Sequence, residues 1–162
     1  EYLEGAAQPA SIPGPLPVPS PSPRDAGPVR ASAVLARDTL RPGDTVSAHV
    51  RLDMLEGWSV VAPQGQRPLF GLTLSLPGPL VPAGRPVYPV PGEVPASGAA
   101  PAFPAFFGGA SIEVPLRVPL DMAVGPARLV LRLRYQPCDG PRCQAPDGAT
   151  LSVPFTVLPA AR

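Results

Sequence analysis

Apolar and polar residues alternate along several stretches of this chain, beginning at Val29. A period of two is typical of β-strands that bury one face and expose the other. The clearest case is Thr45–Asp53, in which every second residue is apolar: Val46, Ala48, Val50 and Leu52. This stretch predicts a strand with those four side chains directed into a core.

The same alternation recurs along the rest of the chain. It predicts further strands at Val29–Arg37, Gly57–Ala62, Leu69–Leu76, Ser111–Val118, Arg128–Gln136 and Thr150–Val157. About seven to nine short antiparallel strands, separated by turn signals and without a convincing helix, indicate an all-β, immunoglobulin-like β-sandwich over residues 29–158. Pro115 and Pro154 fall on outward positions, where a residue without an N–H indicates an edge strand or a bulge.

The alternation lapses between Pro77 and Gly109. This stretch is rich in Pro, Gly and Ala and contains four scattered aromatic residues: Tyr88, Phe103, Phe106 and Phe107. Long segments without secondary structure are uncommon in compact domains and are often functional loops. Two interpretations stay open, a binding loop or a loop whose aromatics only close the end of the sandwich.

The proline and glycine content predicts a different kind of structure at the amino terminus. The 162 residues include 28 Pro and 16 Gly, which argues against long helices. Residues 1–28 consist mainly of Pro, Ala, Ser and Gly, so we expect a proline-rich disordered linker there. Residues 159–162 are expected to form a short tail.

Charge and hydropathy exclude two classes of function. The net charge is +1 and only 15% of residues are charged, so no basic surface is available for nucleic acid. No apolar run is long enough to span a bilayer. Because the chain starts without Met or a signal segment, we expect it to be a piece of a longer protein. Two cysteines suit an oxidising compartment.

The two cysteines lie in one predicted turn. Cys138 and Cys143 flank Asp139-Gly140-Pro141-Arg142, in which Gly permits unusual φ values and Pro fixes φ. Such a turn brings two sulfurs within bonding distance. Three interpretations follow: a structural disulfide, a metal site, or a pair that exchanges thiols with other proteins.

Neither of the first two interpretations explains the pair well. Closing so small a ring stabilises a protein by about 2 kcal/mol, compared with about 3 kcal/mol for a 15-residue loop. Zinc requires four ligands, and the chain has one His, His49, on the outward face of a predicted strand. We therefore expect neither a metal nor another cofactor.

Thiol exchange requires an attacking thiolate, a second sulfur that resolves the mixed disulfide, and access for a partner. A close pair on a turn provides all three. Arg142 favours a thiolate electrostatically, whereas Asp139 opposes it or transfers a proton. Tyr135, at the end of the preceding strand, is a third candidate for tuning the pair.

These residues resemble a known family. Tyr135–Cys138 and Cys143–Pro146 are similar to the Tyr-Gln-x-Cys…Cys-x-Pro-Pro motif of the disulfide-bond-corrector family, the amino-terminal periplasmic domain of the thiol:disulfide interchange protein DsbD. The likeness includes Gly57–Val60, Val87–Pro89 and Ile112–Leu116, and so extends over roughly residues 29–157. The spacing of the cysteines is one residue shorter than in the best-known members, and the last Pro pair is reduced to Ala145-Pro146.

The resemblance implies a function. Such a domain would be periplasmic and monomeric, and membrane-tethered in the full-length protein. It would receive electrons from a thioredoxin-like domain through a membrane-embedded donor, and reduce disulfide isomerases and the thioredoxin-like proteins of cytochrome c maturation. Cys143 would form the mixed disulfides and Cys138 would resolve them.

The family also implies an aromatic cap over the cysteines. The matching segment is about 85–108, with Tyr88 as the first candidate and Phe106 or Phe107 as alternatives. A different class of function stays open from the residues alone, namely a non-catalytic immunoglobulin-like interaction module in which the disulfide only locks a hairpin.

Overall fold

A computed structural model describes residues 27–160 of the chain. The linker expected over residues 1–28 therefore lies almost wholly outside the described residues, as does the end of the tail. Within residues 27–160 all regular secondary structure is β-strand, which confirms the all-β prediction. No helical segment in this range has the length and hydrophobicity that a bilayer crossing requires.

Thirteen strands follow one another in the described part of the chain. They are β1 (Val29–Leu35), β2 (Thr39–Leu40), β3 (Thr45–Met54), β4 (Trp58–Val61), β5 (Thr73–Gly78), β6 (Val81–Pro82), β7 (Gly92–Val94), β8 (Phe103–Phe107), β9 (Gly109–Arg117), β10 (Gly125–Tyr135), β11 (Pro137–Asp139), β12 (Arg142–Cys143) and β13 (Asp147–Val157). The long strands among them are the ones that the alternation predicts, and the additional ones are short.

The strands form three sheets. One four-stranded sheet has the order β1-β3-β9-β6, a second has the order β2-β13-β10-β5, and a five-stranded sheet has the order β12-β11-β4-β8-β7. The pairing is antiparallel except between β2 and β13, where Thr39 and Thr156 are parallel partners. This architecture agrees with the predicted immunoglobulin-like sandwich.

One hydrophobic core joins the two four-stranded sheets. Alternate residues of β3, β9, β10 and β13 are buried in it: Val46, Ala48, Val50, Leu52, Ala110, Ile112, Val114, Leu116, Leu129, Leu131, Leu133, Tyr135, Leu151, Val153, Phe155 and Val157. The inward faces predicted for these strands are therefore confirmed. Burial of apolar side chains on one face of each sheet is the main stabilising contribution.

Pro115 and Pro154 each lie on a strand whose neighbour on one side is only two residues long. Each proline is outside the register pairs with that short neighbour. Strand β6 pairs with β9 only at Leu116 and Arg117, so no strand partner requires an N–H from Pro115. Strand β2 pairs with β13 only at Thr156 and Val157, which leaves Pro154 beyond the end of that ladder. The predicted edge strand or bulge is therefore wrong, since β9 and β13 each have a strand on both sides and an unbroken register at the proline. The missing N–H is tolerated because the neighbour on one side is too short to reach the proline.

The segment between Pro77 and Gly109 is not the continuous loop that the sequence predicts. It contains β6, β7 and β8, and β8 lies between β4 and β7 in the five-stranded sheet. Strand β8 shows no alternation because both of its faces are covered. Phe106 is buried in the main core, whereas Phe103 and Ala105 are buried in a second, smaller cluster on the opposite face.

Candidate redox site

The two cysteines lie on a short β-hairpin at the edge of the five-stranded sheet. Strands β11 and β12 are joined by Gly140 and Pro141, and Asp139 is the partner of Arg142 in the closing pair. Gly140 has φ of 61°, the positive value that a type II′ turn requires at its first central position. The turn residues predicted from the sequence therefore place the cysteines opposite each other.

Cys138 and Cys143 are bonded. Their sulfurs are 2.06 Å apart and their Cα atoms 3.9 Å apart, as direct partners across the hairpin. The two cysteines differ in exposure, since Cys138 is completely buried and Cys143 is half-buried. Solvent therefore reaches part of Cys143 and none of Cys138.

A row of four residues crosses the sheet at the level of the disulfide. Cys143 is opposite Cys138, Cys138 is opposite Ser59, and Ser59 is opposite Phe107. Directly opposite residues in antiparallel strands have side chains on the same face. The hydroxyl of Ser59 is thus on the same face as the sulfurs, one strand away.

A small apolar cluster surrounds the buried sulfur. Cys138 belongs to it together with Val61, Val94, Phe103 and Ala105, and the half-buried Leu69 and Cys143 pack against it. This list defines the cysteine cluster. The neighbouring residues Val60 and Phe106 belong to the main core, so the cysteine cluster is on the other face of the sheet.

Gln136 fixes the backbone on both sides of the cysteine hairpin. Its amide nitrogen donates to the carbonyl of Gln144 at 2.9 Å, and its amide oxygen accepts from the backbone N–H of Phe70 at 2.7 Å. The Gln144 N–H donates to the carbonyl of Pro137 at 2.9 Å. Sequence reasoning gave Gln136 no role; the available signal was a polar residue at the entrance to the cysteine turn.

The aromatic residues expected to shield the pair are not gathered over it. Phe106 is 3% exposed in the main core, behind the sheet as seen from the sulfurs, and Tyr88 packs against the same core. Burial raises the pKa of the Tyr88 phenol above its ordinary value. Phe107 shares the face of Cys138 but is two strands away and 49% exposed.

The apolar residues grouped with Cys138 are instead those of the cysteine cluster, which includes Phe103 and has Leu69 packed against it. The physical reason is the pairing of β8 with β4, which directs Phe106 and Phe103 to opposite faces. Phe106 and Tyr88 therefore pack with the main core, and the residues grouped with Cys138 are ones for which no shielding role was predicted.

The three tuning candidates have different environments. Asp139 and Arg142 are exposed and lie opposite each other on the hairpin. Tyr135 is 5% exposed and belongs to the main core, not to the cysteine cluster. Arg134, also on β10, has its guanidinium carbon 5.1 Å from the ring centroid of Phe70, beside the segment that Gln136 anchors.

A cleft of about 560 Å³ opens next to the cysteine turn. Pro141 of the turn lines it together with Leu69 and Phe103 of the cysteine cluster, and with Arg67 and Ala102 at its rim. The cleft thus begins two residues from Cys143. In the described part of the chain no three His, Cys, Asp or Glu side chains are grouped as metal ligands would be.

Comparison with known proteins gives a structural likeness and no sequence match. No model of a known protein family matches the chain, and no curated protein matches it. Among solved structures, the N-terminal periplasmic domain of ScsB from Proteus mirabilis has a similar fold, with a TM-score of 0.59 and 11% identity. The similarity covers 83% of this chain and 49% of that one, so this chain spans about half the length of the ScsB domain.

A second solved structure is the N-terminal domain of Neisseria meningitidis DsbD in its reduced form. It has a TM-score of 0.48 and 17% identity, and the similarity covers 76% of this chain and 83% of that one. At these identities the likeness concerns the fold alone. The fold found from coordinates is thus similar to that of the N-terminal periplasmic domain of ScsB.

Proposed function

We propose that this chain is a thiol:disulfide exchange domain that acts as a protein-disulfide reductase through Cys138 and Cys143. The observation that carries the proposal is the bonded pair itself, on a hairpin at a sheet edge, with one cysteine buried and the other half-buried. An exchange site needs this asymmetry because one sulfur must meet the partner while the other waits to resolve the intermediate.

The reaction runs in two steps. The Cys143 thiolate attacks one sulfur of the partner's disulfide, a bond forms between Cys143 and that sulfur, and the partner's other sulfur leaves as a thiolate. Cys138 then attacks the sulfur of Cys143, the intramolecular disulfide forms, and the partner's first sulfur leaves. The pair is oxidised by two electrons, and the partner's sulfurs receive both electrons and both protons.

The roles of the two cysteines follow from their exposure. Cys143 is the sulfur that a partner can contact, and Cys138 is enclosed by the cysteine cluster. The family resemblance assigns the same roles. Arg142, adjacent to Cys143, favours the attacking thiolate, and Asp139 is available to transfer a proton.

A purely structural disulfide has little to add at this position. Strand β11 is already held by three register partners on β4, and Gln136 and Gln144 tie the hairpin by hydrogen bonds. Closing the short loop from Cys138 to Cys143 contributes only about 2 kcal/mol to the free energy of unfolding. This favours the redox function over an interaction module with a locked hairpin.

The partners we propose are thioredoxin-like proteins or domains outside the cytoplasm. Reducing equivalents would come from a thioredoxin-like or membrane-embedded donor and pass to extracytoplasmic disulfide proteins, including those of cytochrome c maturation. We place the partner's polypeptide in the cleft bordered by Pro141, because this cleft is adjacent to Cys143 and partly apolar. The domain would act as a monomer.

Trapping of the mixed disulfide tests the proposal. Cys138→Ser should accumulate a covalent complex with an oxidised thioredoxin-like protein through Cys143, seen on a non-reducing gel and by mass spectrometry. The matched variant Cys143→Ser should accumulate none, because its remaining sulfur is buried. If Cys138→Ser captures nothing, and the wild-type bond also resists mild dithiol reduction, the chain is not an exchange domain.

A further inference from the structure

Ser59 is a buried hydroxyl in an apolar setting. It is 1% exposed, and its Oγ has no hydrogen-bond partner among residues 27–160. A buried hydroxyl without a partner is costly, since it loses its hydrogen bonds to water and gains none in exchange. A residue of this kind in a native structure calls for an explanation, and a redox role is one of the recognised ones.

The surroundings of Ser59 leave one candidate partner. On its strand the next side chain on the same face is Val61, and its cross-strand neighbours are Phe107 on one side and Cys138 on the other. Valine and phenylalanine side chains have no hydrogen-bonding atom, whereas sulfur can accept a hydrogen bond and a thiol can also donate one. Cys138 is therefore the only one of these neighbours that can bond the hydroxyl.

The distance between the strands allows this bond. Directly opposite residues in an antiparallel pair have Cβ atoms about 4.5–5.5 Å apart. Ser59 and Cys138 each carry one polar or sulfur atom on Cβ, so rotation about χ1 is enough to bring Oγ and Sγ together. In the disulfide state Cys138 is held toward Cys143, and the hydroxyl stays unpaired.

We infer that Ser59 is a redox-tuning residue whose hydroxyl binds the Cys138 sulfur once the disulfide opens. The inference rests on the proposed function, because it assigns a role within the same exchange reaction. The residue stabilises the dithiol form relative to the disulfide, and it stabilises the negative charge on Cys138 as that sulfur attacks Cys143. The other residues of the cysteine cluster, apart from Cys143, are apolar and offer a thiolate no hydrogen bond.

The hydrogen-bonding capacity of the Cys138 sulfur toward the Ser59 hydroxyl differs between the two redox states. A disulfide sulfur carries no proton and is a weak acceptor, whereas a thiol both donates and accepts and a thiolate accepts strongly. When the bond opens, the Cys138 sulfur can turn from Cys143 to Ser59. When it closes, Cys138 returns its electron pair to the new S–S bond and the hydroxyl loses its partner. Ser59 thus retains the pair in the dithiol form and makes the domain a milder reductant, because the hydroxyl is unsatisfied in the oxidised product.

The test compares Ser59→Ala with a matched serine on another sheet. Ser75 is exposed on β5, so Ser75→Ala removes a strand hydroxyl away from the sulfurs. The fraction of dithiol is measured at equilibrium with a glutathione buffer, after acid quenching and alkylation. In Ser59→Ala the equilibrium should shift toward the disulfide by about tenfold, or about 30 mV for a two-electron couple. Ser75→Ala should match the wild type.

A rate provides the second readout. Reduced protein is mixed with oxidised glutathione, and the lifetime of the glutathione adduct on Cys143 is followed by mass spectrometry. The adduct should persist about threefold longer in Ser59→Ala, because without the hydrogen bond the Cys138 thiolate is scarcer, although each thiolate is more nucleophilic. Thermal stability of the oxidised form should not fall, because the variant removes an unpaired group.

The failure of this inference is distinct from the failure of the proposed function. If the wild-type pair exchanges with glutathione but Ser59→Ala shifts the equilibrium by less than about threefold, or toward the dithiol, Ser59 only fills space. An unchanged lifetime of the adduct has the same meaning. If the wild-type pair itself does not exchange, the proposed function fails first.

Discussion

The amide oxygen of Gln136 accepts a hydrogen bond from the backbone N–H of Phe70 at 2.7 Å. This contact joins the residue that leads into the cysteine hairpin to the segment that places Leu69 against the cysteine cluster. The other end of the same amide donates to the carbonyl of Gln144, just after Cys143. One buried side chain therefore holds the hairpin and its cover together.

Replacing Gln136 by Met should loosen this arrangement. Gln136→Met keeps the approximate volume but leaves the Phe70 N–H and the Gln144 carbonyl without their partner, at a cost of about 1–3 kcal/mol in unfolding free energy. Gln144→Met is the control, because the exposed Gln144 contributes only backbone atoms. Urea unfolding measures both; equal effects in the two variants would contradict the role assigned to the amide.

The two adjacent phenylalanines should differ sharply on truncation. Phe106→Ala opens a cavity in the main core and should cost about 3–5 kcal/mol in unfolding free energy. Phe107→Ala should cost less than about 1 kcal/mol, because the side chain is 49% exposed. Neither change should alter the rate at which dithiothreitol reduces the disulfide. A much faster reduction in Phe107→Ala would show that this ring does shield the pair.

Loss of the disulfide should leave the fold intact. Cys143→Ala should lower the unfolding free energy by about 2 kcal/mol, the contribution of a short closed ring. The pairing of β11 with β4 remains to hold the hairpin. Denaturant unfolding together with near-ultraviolet circular dichroism measures both quantities. A variant that is unfolded at room temperature would indicate that the bond is a structural requirement.

Filling the cleft should discriminate between protein partners and small thiols. Ala102 is exposed at the rim of the cleft, and Ala102→Trp places an indole there. Exchange with a thioredoxin-like protein should slow by about tenfold or more, while reduction by dithiothreitol stays unchanged. Leu120→Trp, at a position 83% exposed elsewhere on the surface, is the control. Equal protein-exchange rates in both variants would place the partner outside the cleft.

The strands of the sandwich were predictable because each buries one face only. Val46 to Leu52 on β3, and Leu131 to Tyr135 on β10, alternate with polar residues, and their inward positions are buried as predicted. Strand β8 was not predictable in the same way. Its sequence places Phe103 and Ala105 in one cluster and Phe106 in another, so burial on both faces removes the period of two.

The cysteine hairpin was predictable from local chemistry, and its surroundings were not. Gly140 and Pro141 define the turn, and the turn places Cys138 opposite Cys143. Which side chains cover the sulfurs depends on the pairing of β4 with β8, residues more than forty positions apart in sequence. A pairing of that range leaves no local pattern, so Ser59 could not be assigned a role from sequence.

The most direct test of the account is a count of thiols during exchange with a partner. The fully reduced domain is mixed with an oxidised thioredoxin-like protein, and samples are quenched at successive times with an alkylating reagent. The number of alkylated thiols on each protein is then measured by mass spectrometry. The account predicts that the domain loses both thiols as the partner gains two, with a transient adduct linked only through Cys143. If both cysteines of the domain stay reduced while a control thioredoxin pair exchanges fully under the same conditions, the account is wrong.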